Sequence, residues 1–333
     1  MRTILVLAAL ALVAETPRAQ SLDLPGLSIG DSEVHTGLRL NYRDRNLRSV
    51  QGINVTIWQP YSPAEGRVKG IAVGLPLTGG RSIEGIGVGL FGVSADESID
   101  GIFLGGLGAG AGKSVRGIGI AGLGMGSGED LSGIMVAGLG AGAGRNVKGV
   151  LVGGLGAGAG GDMVGIVVAG LGAGAGGDFR GISVSGLGGG AGGDLQGLHV
   201  AGLGVGSGGD MTGIVIGGLG AGAGGLLKGL GVGGIGVGAS EVQGILVSGF
   251  AAGGGDVRGL FIAPGYFNVS PGGYMQGLSV SAFNRVQGSQ HGVTIGILNV
   301  ARDLRGVQLG LINYAGSNKP GLRWLPFFNM DWR

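Results

Sequence analysis

The chain has no cysteine, so a disulfide framework, a thiolate metal site and a cysteine nucleophile are all excluded. Charge is scarce as well: 13% of the residues are Asp, Glu, Lys or Arg, and the net charge of +2 gives no basis for nucleic-acid binding. Aromatics make up 5% and histidines number three: His35, His199 and His291. They are scattered, and their spacing assembles no Ser/His/Asp set. His199 falls at a variable repeat position and reads as a tolerated surface side chain. Chance GxGxxG strings occur, but none opens a helix after a strand with an acid some twenty residues on, and there is no P-loop Lys-Ser/Thr, so nucleotide-binding motifs are missing. No run reaches the ~18 apolar residues of a membrane helix. These gaps remove the usual signatures of an enzyme, and the chain reads as non-enzymatic, with no cofactor and no identified small-molecule substrate.

What is present is glycine, 86 of 333 residues, with a mean hydropathy of +0.45. Gly85, Gly101, Gly117, Gly133, Gly149, Gly165, Gly181, Gly197, Gly213 and Gly229 stand sixteen residues apart without interruption. A fixed period of this kind marks a repeat architecture, and it separates the chain from disordered Gly-rich sequences. Each glycine opens nearly the same phrase, such as GIVVAGLGAGAGGDFR. Counting from the anchor, position 2 is Ile, Val or Leu (Ile118, Ile134, Ile166) and position 4 is Val, Ile or Leu (Ile120, Val136, Val168). Position 7 is usually Leu (Leu107, Leu123, Leu139), and positions 8 to 12 alternate Gly with Ala. Aliphatic, mostly β-branched residues two apart are a strand signal, and the glycine content disfavours helix by about 1 kcal/mol per residue relative to Ala. Gly161-Asp162 and Gly193-Asp194 are turn formers. The Gly-Ala alternation is similar to silk, in which a glycine face lets sheets approach closely.

The predicted organisation is a signal peptide over 1–20, an N-terminal cap segment over 21–51, a β-repeat array over 52–316 that is strict from 85 to 229, and an aromatic C-terminal cap over 317–333. Arg2 followed by the apolar Ile4 to Ala14 fits an export signal and is too short to span a bilayer. Outside the strict block the anchors Gly52, Gly70, Gly244, Gly259, Gly277, Gly292 and Gly306 are spaced by 14 to 18 residues. Trp58, Tyr61, Tyr266, Phe267, Tyr274 and Trp324 cluster toward the ends, where they fit core capping better than a sugar- or partner-binding surface.

Two all-β architectures fit this unit. In a parallel β-solenoid of ~16-residue coils, each residue stacks on its equivalent in the next coil, about 4.8 Å away, which makes the constant interval a requirement of register. Fifteen such coils would extend on the order of 70 Å. The alternative is an antiparallel meander closed as an outer-membrane β-barrel, whose strands need ~9–11 residues to cross. A barrel alternates polar and apolar faces, and neither face here is polar. The solenoid is the expected fold, with positions 2 and 4 inward and position 3 outward. That places Phe103, Met135, Leu151, Val167 and Val215 in an exposed apolar row, a feature of interaction or membrane surfaces. Stacked coils also set Glu97 beside Lys113, Glu129 beside Arg145, and Asp100 beside Arg116.

One set of acids is regular enough to consider for metal: Asp130, Asp162, Asp178, Asp194 and Asp210, in the turns. Calcium-binding β-rolls need Gly-Gly-x-Gly-x-Asp at a nine-residue period. This chain repeats at sixteen with one acid per unit, so the preferred role for these carboxylates is to accept backbone N–H groups in tight turns.

The segment 292–316, GVTIGILNVARDLRGVQLGLINYAG, carries the phrase Gly-apolar-Gln/Thr-apolar-Gly-apolar-apolar-Asn twice, at Gly292–Asn299 and Gly306–Asn313. It resembles the exported surface-repeat proteins first described from leptospires, and the finish GLRWLPFFNMDW is similar to their ending. The match covers about the last fifty residues, and the Gly-Ala-rich middle lacks the Asn and Gln of that phrase. The resemblance implies an exported protein of the periplasm, outer membrane or cell surface of a Gram-negative bacterium, and implies no activity. The expected role is structural, adhesive or partner-binding, through a regular apolar sheet face that self-associates or meets an envelope or membrane partner. The alternative is an integral barrel, with a pore as its function.

Overall fold

A computed structural model describes residues 21–331. The signal-peptide segment and Trp332 lie outside the described residues. Every regular element among them is a strand. The chain divides into two compact units, Met1–Gly165 and Ile166–Arg333. Each is a parallel β-solenoid, so the meander and the closed barrel are overturned: neighbouring strands run parallel, in register, one coil apart. In the first unit Gly117 pairs with Gly133 and Gly133 with Gly149, carrying Ile118 onto Ile134 and Ile134 onto Val150. In the second, Gly181 pairs with Gly197, Gly197 with Gly213 and Gly213 with Gly229. The register reaches earlier than the anchor count from sequence, through Gly37 on Gly52 and Gly26 on Gly37.

A coil consists of a long strand such as Asp130–Ala137, a turn at the position-7 leucine, a short strand such as Gly140–Ala143, and a second turn. The parallel ladder continues through the leucine turn, where the N–H of Leu123 donates to the Leu107 carbonyl at 2.7 Å and that of Leu139 to the Leu123 carbonyl at 2.8 Å. The backbone therefore satisfies itself from coil to coil, turns included.

The anchor glycine sets the interval. Gly133 has φ +119°, and a Cβ built on it would overlap the carbonyl oxygen of Gly117, the anchor one coil earlier. The other anchors share this conformation, with φ from +116° to +148° between Gly37 and Gly306. A left-handed backbone this close to its neighbour admits only glycine.

The expected orientation of the long strand is reversed. Phe103, Met135, Leu151, Val167 and Val215, assigned to an outward row, are all buried, at 0–1% exposure. Position 15 joins them inside (Val115, Leu131, Val147, Leu195), as do the alanines and valines of position 9 (Ala109, Ala141, Val205, Val237). Positions 2 and 4 point to solvent. Where the interior row at position 3 holds a glycine, a large neighbour fills the space. A Cβ on Gly119 would overlap the Phe103 ring, and one on Gly231 would come within 2.9 Å of Leu246. Each glycine makes room for its neighbour's side chain, as close packing requires. Full burial of a Leu, Met or Phe stabilises by roughly 1.5–3 kcal/mol.

The ends differ from the middle. Leu22–Leu24 pairs antiparallel with Gly26–Ile29, and Trp324–Asp331 pairs antiparallel with the last coil from Gly306 to Tyr314. Each end of the parallel ladder is thus closed by a short antiparallel strand, which becomes the edge. The aromatics divide: Phe267 is fully buried against Phe261, with ring centroids 5.0 Å apart, whereas Trp58, Tyr61 and Trp324 are exposed and do not fill the core.

Candidate functional site

The reversal creates the main surface feature of the molecule. Along the outer side of the long strands, positions 2 and 4 form two aliphatic rows, and the position-7 residue adds a third at the turn. Ile118, Ile120 and Leu123 are 45%, 50% and 47% exposed. In the first unit the three rows run through Ile102, Ile118 and Ile134; Leu104, Ile120 and Val136; and Phe91, Leu107, Leu123, Leu139 and Leu155. In the second unit the same repeat positions hold the exposed Ile182, Val184 and Leu187, then Ile214 and Leu219. Alternation along the strand turns these residues outward together, and the sixteen-residue register stacks them at about 4.8 Å. In the second unit the face deepens into an open apolar groove of about 340 Å³ between Ile262, Pro264, Val280, Ile295 and Ile297.

Charge is kept to the margin of this face. The position-16 row contains Asp100, Arg116 and Lys148 in the first unit and Arg180, Lys228 and Arg258 in the second. The expected cross-coil pairs form: Lys113 Nζ lies 2.8 Å from Glu97, Arg145 lies 3.1 Å from Glu129, and Arg116 lies 3.8 Å from Asp100. Arg81 also binds Glu97 at 2.7 Å, and these two cations hold its carboxyl down at about 2. All of these pairs are exposed and contribute little to stability.

The turn aspartates do not converge on a cation. Asp178 Oδ1 accepts the N–H of Asp194 at 2.9 Å, Asp194 Oδ1 accepts that of Asp210 at 2.9 Å, and Asp210 Oδ1 accepts that of Leu226 at 2.8 Å. Each carboxylate thus binds the turn of the following coil. Asp130 instead takes Arg145, at 2.6 Å, and Asn146 Nδ2, at 3.1 Å, and the arginine holds its carboxyl below the usual range. Asn146 Oδ1 in turn accepts the N–H of Asp162 at 3.0 Å. Among the described residues no three His, Asp or Glu side chains cluster as metal ligands.

His199 is a core residue and not the surface side chain expected at position 3. It is fully buried, edge-on to Phe179 at 4.9 Å. Its Nδ1 lies 2.8 Å from Ser183 Oγ and its Nε2 3.1 Å from the Gln196 carbonyl. A carbonyl only accepts, so Nε2 carries a proton, and the neutral tautomer this defines can accept the serine hydroxyl at Nδ1. Burial lowers its pKa accordingly.

Two polar clusters went unnoticed in the sequence. Arg39, wholly buried, donates Nη1 to Asn54 at 3.0 Å, Nε to Ser32 at 3.0 Å and Nη2 to Asp31 at 3.3 Å, and it pairs with Asp44. At the other end Asn284, Asn299 and Asn313 form a buried ladder, each Nδ2 donating to the next Oδ1 at 2.8 and 2.7 Å. The repeated Asn of the 292–316 phrase was its signal. Both clusters are internal and tie coils together.

No protein-family model, curated protein or solved structure matches this chain.

Proposed function

We propose that this is a non-enzymatic, exported repeat protein of a Gram-negative envelope, with a structural or adhesive role exerted through its apolar sheet face. The observation that carries the reading is the three-row face. Globular surfaces leave single apolar residues in water, but contiguous apolar patches beyond a few hundred Å² mark sites of interaction. Export is supported by the positively charged start and apolar stretch of residues 2 to 14, and by the resemblance of the last fifty residues to exported surface repeats. Within each unit the solenoid repeats one outward pattern coil after coil.

The test is fractionation of cells producing the chain and its Ile118→Glu/Ile134→Glu variant. Both sites are exposed, so the variant keeps its fold, checked by far-UV circular dichroism. The expected result is a processed chain retained with the envelope and a variant released from it. Cytoplasmic retention without processing, or a variant held as firmly as the wild type, overturns the reading.

A further inference from the structure

We propose that the occupant of the apolar face is a second copy of this chain, packed sheet on sheet over the coils anchored at Gly85, Gly101, Gly117, Gly133 and Gly149. The inference rests on the reading of that face as a docking surface and names its partner.

The first argument is area. With Ile118, Ile120 and Leu123 each near half exposed, one coil leaves roughly 250 Å² of apolar surface in water. Five coils therefore exceed the ~800 Å² per partner that a stable interface covers. The second is composition. Between Gly85 and Gly149 the three rows consist of Ile, Val and Leu, with Phe91 in the first coil, and contain no charged or polar side chain. Pairing them desolvates no charge, and the charged position-16 row stays at the rim, the usual anatomy of an interface.

The third argument selects a copy over other apolar partners. Rows 2 and 4 are ridges with one aliphatic side chain per coil, Ile118 on Ile134 and Ile120 on Val136, repeating at about 4.8 Å. Such a surface interdigitates along its whole length only with another that has the same repeat. A second parallel ladder has it by construction, and matched aliphatic rows then close a dry interface with sheets about 10 Å apart. A lipid layer is fluid and has no such period, so it would not call for one aliphatic side chain in every coil.

The absence of native cysteine makes the test direct. The full chain is examined by sedimentation velocity over a dilution series, alongside Ile118→Glu/Ile134→Glu and a single Ile134→Cys variant under mild oxidant, with Lys113→Cys on the turn as control. The expected results are a species of twice the chain mass, its reduction to one chain mass in the double variant with unchanged circular dichroism, and a covalent dimer from Ile134→Cys but not from Lys113→Cys. A wild type that stays at one chain mass, or a double variant that still dimerises, overturns the proposal. Flotation of a monomeric wild type with phosphatidylethanolamine/phosphatidylglycerol vesicles, lost in the double variant, overturns it in favour of lipid while leaving the docking reading intact. A monomer that neither dimerises nor floats, and whose variant stays in the envelope, overturns both.

Discussion

The coils near Gly133 and those near Gly292 follow one backbone path and fill it with opposite chemistry. Around Gly133 the interior holds Val115, Leu131, Met135 and Ala137. Around Gly292 it holds Asn284, Gln290, Thr294, Asn299, Gln308 and Asn313, each fully buried. The anchor conformation is common to both, φ +119° at Gly133 and +129° at Gly292. The difference teaches that the fold belongs to the anchor row and the parallel ladder. The core accepts either apolar packing or a polar network in which most buried groups find partners, Gln308 Oε1 being an exception. The fillings differ in specificity. Near-identical apolar coils distinguish one register from the next weakly, whereas Asn299 has one assigned amide partner on either side, Asn284 and Asn313.

The sharpest way to break this comparison is at the anchors. Gly133→Val and Gly292→Val each place a Cβ into the carbonyl of the preceding anchor at a left-handed backbone position, and each is expected to cost at least about 3 kcal/mol in urea unfolding. Tolerance at one site and not the other would end the idea of a shared backbone requirement. The control is Gly124→Ala on the short strand, where the nearest atom to an added Cβ is 3.9 Å away. It is expected to be neutral or to stabilise by up to ~1 kcal/mol, through the unfolded chain.

A smaller effect sharpens the contrast between the fillings. Asn299→Leu leaves the buried Oδ1 of Asn313 without its donor, while Asn284 Nδ2 keeps the Ser281 and Ile295 carbonyls, at an expected cost of about 1–3 kcal/mol. Replacing Asn284, Asn299 and Asn313 together by Leu should recover part of that loss, because no amide is then left half-paired. Denaturant midpoints of the single and triple variants decide the matter; a triple variant less stable than the single one would show that the ladder has no apolar substitute.

The smallest effect concerns His199, a polar intruder in the Gly-Ala-rich part. Its folded-state pKa lies below its usual value of 6.5 because burial disfavours the cation. Below pH 6.5 the unfolded chain therefore binds a proton that the folded chain does not. The contribution is fully present above that pH and is lost as pH falls toward the folded-state value. Unfolding midpoints should decline from pH 7 to 5 in the wild type and decline less in His199→Phe, whose replacement does not titrate; equal slopes would refute the assignment.

Much of this molecule was legible in its sequence. The sixteen-residue interval, the strand character, the turns and the cross-coil charge pairs follow from residue type and spacing, since a parallel ladder stacks like on like. The aspartate row was legible as a turn device, and its hydrogen bonds to the following coil give the physical reason for its period. His199 was misplaced because the whole of position 3 was misplaced. The Arg39 cluster was not legible, because Asp31, Asp44 and Asn54 meet only once the first coils close.

The sequence by itself determined the repeat, the strands and which residues share a face, because period-two alternation is a local property of the chain. Only the tertiary structure decided which face is inside. Both faces are apolar, so hydrophobicity could not choose, and the choice fell to the face that carries a small residue beside the turn. In row 3, Gly87 and Gly119 flank Phe103, while Met135, Leu151 and Val167 follow one another without a glycine between them. The face that turned inward carries the small position-5 residues Gly105, Ala121, Ala137 and Gly153, which let the short strand fold back closely: a Cβ on Gly105 or Gly153 would overlap the carbonyl oxygen of Gly108 or Gly156. Rows 2 and 4 have no such small position and remain outside, so the face that alternation alone assigned to the core is the one in contact with solvent.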